Sequence, residues 1–375
     1  MNDKEIREIR RRFRPNKSNI TNIKGYVINR EKQVAAIINQ SLINTISDDC
    51  EKLLSVLKKV LSGTKGANLY DLEYTAQQVM ESPEHKLLMD MRDSNLSNDD
   101  AVNYFISKVI ENVFFDGEYI ILLASDNYDV FSYDENGDKK EESDSVFSYI
   151  VCAVCPIKES KPSLYYSNFD NTFRTTDNHH LIANPEFGFM FPCFDDRATN
   201  IYKVQFYTKD VKSNHEDFIN NIFNVSCPKP APEQKECFSN CLSETLQEDC
   251  SFELIKNIHD HVSEMVQIHS EANEDEPLTL TKSSFKTVLQ ESGIADEKIE
   301  VFETKFEEEF GSNTEIIPST IVDIKKLEVS TPYISIKVDP SRSDLISTEI
   351  INGSRYILIR ANDNIEINGV TIDNN

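Results

Sequence analysis

SYIVCAVCPI (148–157) and GFMFPCFDDR (188–197) are the two stretches whose reading decides the fold of this chain. The first is a continuous apolar run of strand length, the pattern of a strand buried on both faces. Cys152 and Cys155 stand three residues apart within it, so successive pleats aim their thiols at opposite faces. A zinc half-site needs its two thiolates on one side of a turn, and no turn residue separates them. The expectation is therefore a pair of buried structural thiols. Cys237 and Cys241 share a helical face, whereas His259 and His261 diverge. No metal and no cofactor is expected.

Working outward, GEYIILLAS (117–125) is a second buried-type strand, and residues 98–114 before it read as a helix. Val102, Phe105, Ile106, Val109 and Val113 form one apolar face, and Ser97 with Asp100 resembles a capping box. The acidic loop Asp134 to Asp144 separates the two strands. Residues 3–13 read as a basic helix stopped by Pro15, residues 19–45 as a hairpin, and Ser47 to Leu61 as a helix closed by Gly63. Further strands are expected near 163–166, 188–191 and 201–207, followed by a helix at 216–223. Cys227-Pro-Lys-Pro-Ala-Pro232 is a linker, because its prolines forbid a continuing helix or central strand. Helices follow at 251–269, 282–292 and 296–310. The stripe of the first runs Phe252, Ile255, Ile258, Val262 and Met265/Val266. From Ile317 the tail turns to alternating strands, with hairpin turns at Asn352-Gly353 and Asn368-Gly369. The fold class is α+β, with an N-terminal mixed domain (1–225) built on an antiparallel sheet with flanking helices. A Pro-rich linker (226–235), an acidic helical connector (236–312) and a small antiparallel β domain of about five strands (313–375) follow.

Candidate chemistry concentrates at residues 179–197. Cys155 or Cys193, with His179 or His180 and Asp195, supplies the residue types of a thiol hydrolase. Asp195, Asp196 and Arg197 supply paired carboxylates with a positioning cation. The plainer reading makes Cys193 a core residue, His179-His180 a polar turn between strands, and Asp195-Asp196-Arg197 a turn held by an Arg–carboxylate pair. The plainer reading is favoured. Any chemistry is expected between His179 and Arg197 and not at the CxxC. SGTKG (62–66) follows a helix and lacks the spacing of a phosphate loop.

Charge supplies the other lead. The chain of 375 residues carries a net charge of −25, which repels polyanions at long range. Residues 1–35 run against that trend, with ten Lys/Arg and four Asp/Glu, while residues 236–316 hold twenty acids and five bases. Arg7, Arg10, Arg11 and Arg14 fall on one face of a basic helix and can contact phosphates. The N-terminus lacks the apolar core of a signal peptide, and the longest apolar runs are far short of a membrane span. A cytoplasmic location is expected, with no membrane association.

SGTKGANL (62–69), LMDMRDSNL (88–96), GEYIILLASDNYDV (117–130), CAVCPI with KPSLYY (152–166), GFMFPCFDDR (188–197) and EINGVTI (366–372) resemble a bacterial family, mainly from Firmicutes. It is described as a domain of unknown function, number four-three-one-seven. The resemblance brings no activity or site residues with it. The order of hairpin, helix, helix into strand and β tail is similar to that of bacterial nucleoid-associated proteins. The leading expectation is a non-enzymatic interaction protein, nucleoid- or nucleic-acid-associated, meeting a protein or nucleic acid partner through its basic N-terminus. The alternatives are a hydrolase-like enzyme using residues 179–197 and an acidic scaffold. Oligomeric state is left open.

Overall fold

The strand that carries Cys152 runs from Ser145 to Glu159 and is the longest among the described residues. The structure, a computed structural model, describes residues 1–131, 145–213, 215–272, 278–311, 316–323, 326–361, 365–367 and 370–372. The acidic loop expected at 134–144 and the turn expected at 368–369 lie outside the described residues. The chain divides into two units, Met1–Pro230 and Ala231–Asn375.

The first unit contains α1 (Asp3–Arg10), β1 (Asn22–Ile28), β2 (Val34–Ser41), α2 (Ser47–Lys58), β3 (Leu69–Glu73), α3 (Ala76–Glu81), α4 (Pro83–Asp93), α5 (Asp99–Asn112), β4 (Tyr119–Val130) and β5 (Ser145–Glu159). It continues through β6 (Leu164–Ser167), β7 (Thr172–Thr175), β8 (His180–Ile182), β9 (Phe187–Phe191), β10 (Cys193–Asp195), β11 (Ala198–Asn200), β12 (Lys203–Thr208) and α6 (Glu216–Phe223). The main sheet is antiparallel in the order β2-β1-β4-β5-β9-β12-β3, with β8 added to the far end of β5. β4 and β5 pair from Tyr119↔Pro156 to Val130↔Ser145 and form its spine.

Both faces of that spine are covered, which is why the strands read as unbroken apolar runs. On one face Val102, Phe105, Val109, Phe218 and Phe223 from the helices pack on Ile121, Leu123, Cys152 and Phe189. On the other, Ile6, Ile9, Leu54 and Leu57 pack on Ile120, Leu122, Val151, Ala153 and Cys155. The two thiols of the CxxC thus enter different layers, as the pleat requires. Gly188 of β9 lets the chain at Val60 lie directly on the sheet. A Cβ there would stand 2.3 Å from the Cys152 carbonyl oxygen and 2.9 Å from Val60 Cγ2.

Several local readings are corrected. Asn98, not Ser97, caps α5, its side chain accepting from the Ala101 amide at 3.3 Å. The strand expected at 201–207 runs from Lys203 to Thr208: Tyr202 precedes it and is exposed, while Gln205 within it is fully buried and donates to Tyr70 O at 3.0 Å. α1 ends at Arg10 and not at residue 13, because the chain leaves in tight turns (Arg12 amide to Ile9 O, 2.9 Å; Arg14 amide to Arg12 O, 2.9 Å).

The second unit holds α7 (Ala231–Leu246), α8 (Phe252–Ala272), α9 (Lys282–Glu291), α10 (Asp296–Phe310) and α11 (Pro318–Ile321). The strands β13 (Leu327–Thr331), β14 (Ile334–Val338), β15 (Ile346–Ile351), β16 (Ser354–Ile359), β17 (Ile365–Ile367) and β18 (Val370–Ile372) follow. Phe238, Leu242, Phe285, Phe302 and Phe306 fill its core. On α8 the buried stripe is Leu254, Ile258 and Val262, with Ile255 turned outward. The six strands pair as three separate hairpins. In the middle one Asn352 (φ 53°) and Gly353 (φ 82°) make the two-residue turn that their sequence calls for. Ser343 Oγ donates to Asp260 Oδ2 at 2.9 Å, tying the segment before β15 to α8. Among the described residues, no helix is long and apolar enough to cross a membrane.

Candidate functional site

The residues singled out between 179 and 197 fall at two ends of β5. His180 pairs with Glu159, and Phe191 pairs with Ile150, so nine strand positions separate the two registers. At about 3.3 Å per residue that is roughly 30 Å. Cys193, two residues past Phe191, therefore has no histidine of this pair within reach. His179 and His180 are exposed, and His180 Nδ1 stands 3.5 Å from Glu118 Oε2. Cys193 is fully buried. Desolvation, helped by the Asp71 charge, pushes its thiol well above the usual range, so it is held protonated. Cys155, four strand positions from the residue paired with His180, is fully buried, and burial raises its thiol to about 12. Neither thiol faces the histidines as a hydrolase would need.

The acidic pair has a structural setting. Asp196 (φ 51°) and Arg197 (φ 56°) are the two left-handed residues of the tight turn joining β10 to β11, with Asp195 opposite Ala198. Arg197 pairs with Glu8 of α1 at 3.2 Å and donates to Phe131 O at 2.9 Å. The Arg–carboxylate pair expected of this turn thus reaches across to α1. Asp195 faces a different neighbourhood. Its Oδ1 is 2.5 Å from the Met1 amine, and its Oδ2 accepts from Asn200 Nδ2 at 2.9 Å and faces Lys203 at 3.7 Å. The Met1 amine also faces Asp71 at 3.2 Å, and Lys65 bonds Asp71 at 3.1 Å. Desolvation raises the Asp195 carboxyl, but the amine's hydrogen bond and charge, with Lys203, carry it below the ordinary value. Acid and base are matched here, which is the arrangement of a structural network. No motif announces it, because Met1, Lys65, Asp71, Asp195 and Lys203 are scattered along the chain.

The basic residues make a different picture. Ile6 and Ile9 of α1 and Leu54 and Leu57 of α2 share one core cluster, so the two helices cover the same face of the sheet. Their opposite sides carry Arg7, Arg10, Arg11 and Lys58, with Lys59 just beyond. Desolvation first, then the charges of Arg10, Arg14 and Lys59, lowers the Lys58 ammonium, which places these cations within electrostatic reach of one another. Arg7, Arg11, Arg14 and Lys59 are exposed, and Arg10 Nε is a buried donor with no hydrogen-bond acceptor among the described residues. Among the described residues none of these six has a carboxylate at ion-pair distance. Arg12 is the exception in the run, since it turns inward to Asp126 and lies over the Tyr128 ring. Arg14 stands beyond the end of α1, so Arg7, Arg10, Arg11 and Arg14 do not lie on one helical face.

The family model described as Domain of unknown function (DUF4317) matches residues 1–370. The chain belongs to this family. Neither the curated proteins nor the solved structures gave a match. Family membership covers both units and assigns no chemistry, so the physical features of the surface carry the functional reading. The contribution of Lys58 and Lys59 to the cationic surface was not read from the sequence. Two lysines at the end of a helix are the ordinary complement of its dipole, and only the packing of α2 beside α1 joins them to the arginines.

Proposed function

We propose that the protein is a non-enzymatic interaction protein that holds the phosphate backbone of nucleic acid on the cationic surface of α1 and α2. The observation that carries this reading is the cluster of Arg10, Arg14 and Lys58, like charges kept together with no carboxylate at ion-pair distance among the described residues. Such a cluster is unfavourable in the free protein and is relieved by an anion. It is also out of keeping with a chain of net charge −25. An acidic body with one basic face favours a local, oriented contact over wrapping, and the phosphate contacts carry no sequence preference. A chemical step at 179–197 is not favoured, because the thiol is protonated and the histidines are far from it.

Binding of a labelled DNA duplex to the full chain, followed by fluorescence anisotropy from 50 to 300 mM salt, tests the proposal. About four phosphate contacts give a slope of log affinity against log salt near −4. Replacing Arg7, Arg10, Arg11 and Arg14 together by Ala is expected to abolish the signal while thermal unfolding stays near that of the parent. No binding at the lowest salt, or binding insensitive to salt, overturns it.

A further inference from the structure

β2 is an open edge of the main sheet. It pairs with β1 on one side and with no strand on the other among the described residues. The Leu42 amide donates to Thr21 O at 2.8 Å, which fixes the phase of the ladder. In an antiparallel ladder the inward and outward positions alternate. Gln40 and Ile38 therefore spend their backbone groups on β1, while Ser41, Asn39 and Ile37 present theirs outward.

Exposed edges are ordinarily blunted by charge, by proline or by brevity. β2, VAAIINQS, is eight residues long and has neither charge nor proline. Its side chains are open on both faces, with Val34 43%, Ile37 66% and Ile38 41% exposed. The chain just after it adds Ile43 at 78% and Ile46 at 74%. The one irregularity in its ladder lies at the start, opposite Val27 and Ile28.

We propose that β2 pairs antiparallel with β2 of a second copy of this chain, about a twofold axis at Ile38, joining two sheets into one. An antiparallel pairing is the one in which a strand complements itself, as an isologous dimer requires. About that axis the outward backbone groups of Ile37 and Asn39 meet their counterparts, and the two Ile38 side chains lie across from each other. The charges at the strand's ends agree with this sense. The turn between β1 and β2, net positive with Arg30 and Lys32 against Glu31, comes beside the Leu42–Asp49 segment of the other copy, which ends in Asp48 and Asp49 at the start of α2. A parallel pairing would set like charge against like at both ends. For a chain repelled by its own net charge of −25, an uncharged strand flanked by opposite charges is the favoured meeting place.

Sedimentation velocity of the full chain across micromolar concentrations tests this. The mass is expected to rise from 43.0 kDa toward twice that value with concentration. Asn39→Pro removes an outward N–H without touching the β1 ladder, and Ile37→Lys puts a charge on the exposed edge. Each is expected to weaken the dimer at least tenfold, with the far-ultraviolet circular dichroism of the parent. Should Asn39→Pro fold poorly, Ile37→Lys alters only an exposed side chain and decides the matter alone. A monomer at every concentration, or a dimer that Ile37→Lys leaves unchanged, overturns the proposal.

Discussion

Arg12 Nε lies 3.2 Å from Asp126 Oδ2, and the Asp126 side chain is wholly buried. The same carboxylate accepts from the Asn19 amide at 3.2 Å and from Tyr149 Oη at 2.9 Å. The turn after α1 is thereby fastened to β4 and β5. Removing one partner of a buried ion pair leaves the other uncompensated, which costs about 3–5 kcal/mol. Arg12→Ala is therefore expected to lower stability by that amount in urea unfolding. Its exposed neighbour Arg11→Ala is expected to change it by less than about 0.5 kcal/mol. Equal losses would mean that the Asp126 network does not fasten the segment.

Lys58 separates the cationic surface from the basic sequence at the N-terminus. If α1 and α2 act together, Lys58→Glu alone is expected to weaken duplex binding at low salt and to make the salt slope shallower by about one. Lys282→Glu, in the second unit, is expected to leave both unchanged. Binding that depends on the arginines but ignores Lys58 would confine the contact to the chain before residue 18.

The parts of the fold that were legible are those in which one periodicity ruled a long stretch. SYIVCAVCPI and GEYIILLAS declared themselves as buried strands because both their faces are covered. The split of Cys152 and Cys155 between layers followed from the pleat alone. α3 and α4 were not read. LMDMRDSNL begins in α4 and runs past its end; Leu88 and Met91 are buried, but the stripe is short and mixed with charge. Pro83, which suggests a break, in fact opens the helix, with Ser82 capping it through the His85 amide at 3.4 Å. The α8 stripe was misjudged by one position, Ile255 for Leu254, because both are apolar and only packing chooses. The candidate site was least legible. Residue types at 179–197 looked convergent in a list of positions, yet the register of β5 sets them far apart. The surface that does converge draws Lys58 from a helix remote in sequence from Arg10.

The thiols of the sheet are expected to be inert. Burial raises Cys155 to about 12, and desolvation together with Cys155 raises Cys152. Desolvation and the Asp71 charge likewise raise Cys193. A thiolate is the reactive form of cysteine. In the native protein at about pH 8, Ellman's reagent is expected to modify none of these three within minutes. The half-buried Cys227, Cys237 and Cys250 are expected to react sooner, and all eight after unfolding in guanidinium. Rapid native labelling of Cys193, mapped by peptide mass, would contradict its placement and restore it as a nucleophile.

Asp195 and the Met1 amine give a pH signature. Desolvation works against ionisation of Asp195, yet the amine and Lys203 hold its folded value below the ordinary 3.8. A depressed carboxyl stabilises the fold above its unfolded value, and that contribution fades as pH falls through 3.8 toward the lower folded value. The amine runs the other way. Desolvation lowers it, but the Asp71 charge and the hydrogen bond to Asp195 lift its folded value above 8.0. Its contribution is full below pH 8.0 and is lost as pH rises through the raised value. Asp195→Asn is thus expected to cost about 1–3 kcal/mol near pH 7, as for a hydrogen bond to a charged group. The cost should shrink as pH falls below 3.8 and through the depressed folded value, where the parent carboxylate itself takes up a proton. Urea unfolding of both proteins at acid, neutral and alkaline pH measures the difference directly. A loss that stays constant across the acid range would show that Asp195 acts by its shape and its bond to Asn200, and not by its charge.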